Sequence, residues 1–316
     1  MQSNIIHTRV KPSFGVSIRK EIKKNWALYL LVTLPVVYLI IFKYIPMYGV
    51  QIAFRQYQPA RGIHKSPWVG MKYFKQFFED YKFWDILRNT LFINLYNLLA
   101  FPMPILLALL LNYIPGRRFQ KSVQMITYAP YFISTVVMAS LILQFFDARN
   151  GLFNMLTGLL GKKPINYMGK PEYFYHIYIW TGVWQSIGYG SIIYIAALSG
   201  VSQELHEAAI VDGANILKRI WHIDLPAILP TICILLIMQC GSIMSIGYEK
   251  IYLLQNSLNQ SASEVIDTYV YKQGLTAALP QYSYSTAIGL FVSIINVILL
   301  ITVNKITSKL SGSGLW

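Results

Sequence analysis

Six stretches of the chain run far enough without charge to cross the roughly 30 Å of a bilayer's hydrocarbon core, which takes about 20 helical residues. They fall within residues 26–46, 88–114, 122–146, 174–199, 225–249 and 284–306, where the only charges, Lys43, Arg88, Glu249 and Lys305, sit at span ends. The pattern predicts an all-α, polytopic membrane protein with six transmembrane helices. It divides the chain into a basic segment 1–25, a transmembrane domain 26–310 and a short tail 311–316. The first span contains Pro35, which membrane helices tolerate. It is not a cleavable leader: Tyr38-Leu39-Ile40-Ile41-Phe42 runs into Lys43-Tyr44-Ile45-Pro46 with no small-residue cleavage site, so the N-terminus is expected to be kept.

An even number of spans places both termini on one side, and basic residues choose the side. Arg9, Lys11, Arg19, Lys20, Lys23 and Lys24 precede the first span, and Arg117, Arg118 and Lys121 follow the second. Those positions are assigned to the cytoplasm. Residues 47–85, 147–173 and 250–283 then form outer connections, and residues 200–224 an inner one. In the segment 47–85, Trp68, Tyr73, Phe74, Phe77, Phe78, Tyr81, Phe83 and Trp84 alternate with Lys72, Lys75, Glu79, Asp80 and Lys82. Aromatic and charged residues interleaved in this way suit the headgroup layer and predict an interfacial helix.

Composition sharpens this reading. Only 13% of the 316 residues are charged and 55% are hydrophobic, where a soluble domain carries about a quarter charged. Mean hydropathy is +0.44. The spans leave no room for a separate catalytic domain. The net charge of +14 is read as topology-setting cations beside anionic lipid headgroups rather than as a nucleic-acid surface. Cys233 and Cys240 lie seven residues apart on one helix, about 10 Å in rise, too far for a mutual disulfide.

Residues 200–226 have a local logic of their own. Ser202 suits an N-cap, Glu204 falls in a first turn that favours negative charge, and Gly213 can take the left-handed conformation that ends a helix. A short helix is predicted over 203–212. Ile216, Leu217, Ile220 and Ile223 then return with helical spacing opposite Lys218 and Arg219, predicting a second short helix along the membrane surface. Asp224 is expected to cap the next span, with Pro226 in its first turn.

Glu207-Ala208-Ala209, three residues, Gly213, nine residues, Ile223, one residue and Leu225-Pro226 resemble the EAA signature of the membrane subunits of binding-protein-dependent ABC importers. Met47-Tyr48-Gly49-Val50, Ser66-Pro67-Trp68-Val69-Gly70 and Asn89-Thr90 extend the likeness to the polysaccharide and complex-oligosaccharide branch of the maltose-type permeases. It covers the chain from about residue 26; residues 1–25 match no pattern. The resemblance implies the type I ABC importer permease fold, residence in a bacterial inner (plasma) membrane, and an oligosaccharide or polysaccharide fragment as cargo. It also implies partners: a second homologous permease, a dimer of ATPase subunits that bind ATP and Mg, and an extracytoplasmic solute-binding lipoprotein. The loop would be the coupling helix, with Glu204, Glu207, Ala208, Ala209, Asp212, Gly213, Ile223, Leu225 and Pro226 as its working residues. The small Ala208 and Ala209 side chains permit close backbone approach, and Glu207 offers a carboxylate to a basic surface.

No Gly-x-x-x-x-Gly-Lys-Ser/Thr occurs, so the chain is expected to bind no ATP of its own and to be no enzyme. His7, His64, His176, His206 and His222 lack zinc-site spacing. Charges such as Lys43, Arg88, Asp147, Glu249 and Lys250 sit at span ends, which counts against an ion-coupled secondary carrier. A membrane enzyme on lipid-linked glycans would need a carboxylate or histidine cluster, for which Glu249 is the one candidate. A sugar route needs hydroxyl-bonding and flat aromatic groups instead. The candidates are Tyr128, Tyr131, Trp184, Gln185, Tyr189, Gln239, Ser242, Tyr248, Glu249 and Asn296.

Overall fold

The computed structural model describes residues 21–312 and 314–316; most of the basic segment 1–25 lies outside them. The described residues are largely helical and contain no strand, only one isolated bridge between Arg55 and Trp68. Four helices are long and apolar enough to cross a membrane, Trp26–Phe54, Phe83–Tyr113, Ile216–Cys240 and Tyr282–Ser311, or five if a bent pair counts as one span.

Helix α1 (Trp26–Leu39) buries none of its side chains against the rest of the chain. A helix apolar all round and left bare needs lipid or another subunit around it. It continues through a π turn at Ile40–Tyr44, two residues before Pro46. A proline lacks an N–H and crowds the carbonyl four residues back; widening the turn so that Ile45 N–H bonds Ile40 O relieves both.

After the short α2 (Lys72–Phe78) come α3 (Phe83–Leu99) and α4 (Pro102–Tyr113), offset at Pro102. The span expected over 122–146 is not one helix. It is α5 (Arg117–Tyr128), a short 3₁₀ turn and α6 (Thr135–Phe145), bent by 100°. Pro130 withholds a donor, and Ser134 starts the new helix by accepting from Val137 N–H. The freed Ile133 carbonyl accepts from Gln185 Nε2 at 3.0 Å. After α7 (Leu152–Leu159), the 28-residue α8 (Pro171–Leu198) is the longest central helix; its many Tyr, Trp, Gly and Ser residues keep it out of the most apolar group. At Gly188 it approaches α5 so closely that a Cβ would stand 2.0 Å from Thr127 O.

Beyond α9 (Gln203–Val211), the second surface helix does not exist as a separate element. Asn215 caps α10 (Ile216–Arg219), which runs through a π turn at Ile220–Asp224 directly into α11 (Leu225–Cys240). The same device as in α1 accommodates Pro226, and Asp224 makes no cap bond. The fifth span stops at Cys240 rather than 249, and residues 241–247 form turns and irregular backbone.

The segment 250–283 is not a surface loop. Its helices α12 (Glu249–Leu254), α13 (Gln260–Ser263) and α14 (Ile266–Tyr271) bury Ile251, Leu254, Val265, Ile266 and Thr268. The aromatic α2 also turns inward. Phe77 is 1% exposed and meets Tyr284 and Phe291 of α15 (Tyr282–Ser311) edge-on, while Trp68, Tyr81 and Trp84 stay exposed. The predicted interfacial segment is thus half core.

Asp80 ties these parts together, accepting from the hydroxyls of Tyr269 and Tyr284 (3.0 Å for Tyr284) and from Lys82 N–H. Burial would raise its carboxyl, but the Tyr269, Lys82 and Tyr284 hydrogen bonds and the Lys82 charge together win and hold it below the usual range. A depressed folded value contributes stability above the unfolded value that is lost as pH falls through the folded one. Thermal stability of the wild type should therefore decline between about pH 5 and pH 3 more steeply than that of Asp80→Asn, measured by melting in detergent. Parallel curves would show that Asp80 is not the tie.

Candidate functional site

Two regions gather the sequence candidates. The first is α9 and its surroundings. Ser202 Oγ accepts from Glu204 N–H at 3.2 Å, and the helix ends as Gly213 N–H bonds Ile210 O and Ala214 N–H bonds Ala209 O. That pair of bonds is a Schellman closure, and Gly213 holds the positive φ of 74° it requires. Glu204, Glu207, Ala208, Asp212 and Gly213 are exposed, with Ala209 half-buried. Gln203 Nε2 donates to Glu207 Oε1 at 3.1 Å. Leu205, Ile210 and Val211 are 55%, 55% and 87% exposed, leaving an apolar surface with acidic neighbours and no cover in this chain.

Asp224 fixes how that helix is held. It is fully buried; Tyr113 OH at the end of α4 donates to its Oδ2 at 2.6 Å, and His206 Nε2 of α9 lies 3.4 Å from its Oδ1. The Arg219 guanidinium stands 5.2 Å from the Tyr113 ring centre. The sequence reading of Asp224 as a cap missed this, because Tyr113 is 111 residues away. Ile223 and Leu225 beside it are half-buried and Pro226 is exposed.

The second region is a cavity of about 470 Å3 between α3, α4, α8 and the end of α11, within the size range of ligand sites. Gln239 and Ser242 line it together with Asn94, Asn97, Tyr178, Ser186 and Ser245. Part of its wall is the irregular stretch 241–247. Four of its peptide groups are met by side chains: Asn94 Nδ2 donates to Ile243 O at 2.7 Å, and Asn296 Oδ1 accepts from Met244 N–H at 3.0 Å. Asp267 Oδ2 accepts from Ile246 and Gly247 N–H at 2.7 and 2.8 Å. Irregular backbone at membrane depth survives only where it is buried in protein or lines an aqueous cavity.

The other route candidates lie apart. Tyr131 and Tyr189 stack face to face, centroids 3.8 Å apart. Tyr128 lines a shallow recess with Lys121 and Phe132. Gln185 is engaged at Ile133 O, and Asn296 spends its amide on Met244 and Ser245. Trp184 and Glu249 are exposed and outside the cavity. Tyr248 stacks on Tyr271 at 4.3 Å beside a different recess, with Asp267, Tyr282 and Ser285. Asn94 and Asn97 were legible in principle: they sit three residues apart, hence on one face, in the interior of a largely apolar span. Among the described residues no three metal-ligating side chains converge.

The sequence profile of the family described as "binding-protein-dependent transport system inner membrane component" matches residues 100–312. Protein LplB of Bacillus subtilis (strain 168) is 43% identical over 303 residues, 96% of this chain and 95% of that protein. The polygalacturonan/rhamnogalacturonan transport system permease protein YteP of the same organism is 42% identical over 290 residues, 92% and 90% of the two chains. A crystal structure of a bacterial ABC transporter involved in import of the acidic polysaccharide alginate superposes with a TM-score of 0.85 at 35% identity, covering 93% of this chain and 99% of that one.

The Asp224 contacts carry a direct test. Asp224→Ala leaves the half-buried Tyr113 hydroxyl without its acceptor, which should cost about 1–3 kcal/mol; Asp224→Asn retains an acceptor and should cost less. Melting of the purified chain in detergent measures both, and an Asp224→Ala protein as stable as wild type would remove Asp224 from this role.

Proposed function

The chain belongs to the binding-protein-dependent transport system inner membrane components, and on that premise we propose that it forms half of a transmembrane sugar route and is driven through α9 by a separate ATPase. It is the permease of an ABC sugar importer of the oligo- or polysaccharide type, a transport subunit and not an enzyme. The finer reading has six crossings, counting α8 and the bent α5–α6 pair, with both termini on the α9 side in the cytoplasm. A second, homologous permease supplies the other half of the route, and two ATPase subunits hold ATP and Mg. An extracytoplasmic binding protein delivers the cargo. A structure similar to this chain holds such an arrangement in part: a bacterial alginate ABC transporter with an alginate pentasaccharide-bound periplasmic protein, TM-score 0.85 at 35% identity, covering 94% of this chain and 99% of that one.

The observation that carries the coupling proposal is α9 itself: a rigidly closed helix, apolar on its free surface and acidic at Glu204 and Glu207, anchored to α4 and α11 through Asp224. An ATPase groove that covers Leu205, Ala208 and Val211 would push on a lever rather than on a loose loop. The conducting proposal rests on the cavity, whose amide and hydroxyl groups suit sugar hydroxyls, and whose lack of a central carboxylate suits weak, releasable binding.

Three outcomes are expected. The isolated chain should hydrolyse no ATP, and an ATPase subunit should co-purify with the wild type. Gly213→Val, which forces a β-branched residue into a positive φ, and Glu207→Lys, which reverses charge on the free surface, should each still pair with the second permease yet abolish binding-protein-stimulated uptake of labelled sugar in reconstituted vesicles. Gln239→Ala, in the cavity wall, should lower uptake several-fold, whereas Trp184→Ala, outside it, should not. Normal stimulated uptake in both α9 variants would refute coupling through this helix, and equal effects at Gln239 and Trp184 would refute the cavity as the route.

A further inference from the structure

Beyond Cys240, at the end of α11 farther from α9, a recess of about 640 Å3 lies between α14, the segment that follows it and the start of α15. Tyr248, Asp267, Tyr271, Tyr282 and Ser285 line it. Ser245 belongs to its wall and also to the wall of the central cavity, so the two spaces adjoin across the irregular stretch 241–247.

Three groups in that wall have capacity to spare. Tyr271 stacks on one face of Tyr248, ring centres 4.3 Å apart, and Tyr252 braces Tyr271 edge-on at 5.2 Å. The opposite face of Tyr248 meets no other ring among the described residues, and the residue is 43% exposed. Asp267 spends Oδ2 on the Ile246 and Gly247 amides, while its Oδ1 accepts no hydrogen bond among the described residues. Ser285 Oγ, buried beside Gly274, has no partner among them either, and an unpaired buried hydroxyl is costly. A braced aromatic face beside free acceptors complements a pyranose, whose C–H face is apolar and whose rim carries hydroxyl donors. No cation lines the recess, and the exposed Glu249 follows Tyr248 in the chain. A uronate brought here would meet the Asp267 carboxylate as a like charge.

We propose that this recess is a second saccharide subsite adjoining the central cavity, in which Tyr248 stacks on the sugar ring, Asp267 Oδ1 accepts from a hydroxyl, and a neutral unit is preferred to a uronate. The proposal rests on the carbohydrate reading above and adds a site with a selectivity of its own. Two adjoining subsites of modest strength let a saccharide pass from one to the next without a deep trap at either.

The test uses the assembled transporter in nanodiscs without its binding protein, carrying Leu275→Cys in a Cys240→Ala background; Cys233 is buried. Leu275 lines the recess and is 67% exposed, so the rate at which a small maleimide alkylates a thiol there reports what fills the space. Neutral galactotriose should slow alkylation several-fold, and trigalacturonate at the same concentration should not. Tyr248→Leu should abolish the protection and Tyr248→Phe should keep it, which a role in bulk packing alone would not require. Asp267→Asn keeps an oxygen for the Ile246 and Gly247 amides but replaces the free acceptor and removes the charge. Protection by galactotriose should then fall, and the difference between the two trimers should shrink. A recess already closed to maleimide, no protection by galactotriose, protection by trigalacturonate as strong or stronger, or full protection in Tyr248→Leu overturns the proposal. Uptake of labelled saccharide by the same complex in vesicles with binding protein separates the two readings. Intact uptake with an unprotected recess refutes this subsite alone, whereas no uptake of any saccharide refutes the transport reading on which it rests.

Discussion

A peptide group in hydrocarbon has no water to bond, so every break in a helix must be answered by another part of the protein. Among the described residues the chain breaks helices at Ile133-Ser134 and across residues 241–247, and it answers both breaks with side chains from distant segments. Gln185 serves the first; Asn94, Asn296 and Asp267 serve the second. The second break, at the end of α11, forms part of the cavity wall, and those bonds satisfy its backbone. The polar residues that look expensive in an apolar span are therefore of two kinds: those consumed by backbone, such as Gln185 and Asn296, and those left to face the cavity, such as Gln239 and Asn97.

Carboxylates, with Asp224 and Glu264 buried and Asp80 half-buried, organise the two ends of the molecule in the same spirit. Asp224 joins α9, α4 and α11 at one end through Tyr113 and His206. At the other, Asp80 joins α2, α14 and α15 through two tyrosine hydroxyls, and Glu264 accepts both Lys82 and Lys272. Each acid is paired with hydroxyls or cations rather than left alone, which is the condition for burying it at tolerable cost. The coverings differ as well: α1 presents mostly apolar side chains outward, its Thr33 hydroxyl bonded back to Tyr29 O, while α9 mixes apolar and acidic ones, as suits lipid in one case and a protein surface in the other.

The geometry links the two functional regions mechanically. The helix from Ile216 to Cys240 is 25 residues long, about 37 Å, and continuous through its π turn. Asp224 grips it near its start, beside α9, and Gln239 stands near its end, in the cavity wall. A displacement of α9 would act at one end of a stiff rod whose other end lines the cavity. The π turn at Ile220–Asp224, forced by Pro226, lies between the lever and the span and places the Asp224 carboxylate inward.

The amino-acid sequence alone determined that the chain is helical and built of long apolar segments, because hydrocarbon thickness and hydrophobicity are properties of contiguous residues. It also determined α9 with its Ser202 cap and Gly213 closure, since caps and left-handed glycines act within a few residues. Where the spans break was only half legible: Pro130 signals a bend, but nothing local announces that α11 stops at Cys240. The cavity, the inward turn of α2, the burial of residues 250–271 and the Tyr113–Asp224–His206 tie were decided by tertiary structure. They depend on partners far apart along the chain, such as Asn94 with Ile243 or Asp80 with Tyr284. Sequence spacing constrains neighbours, whereas the cost of an unpaired polar group is settled only by whichever distant segment comes to meet it.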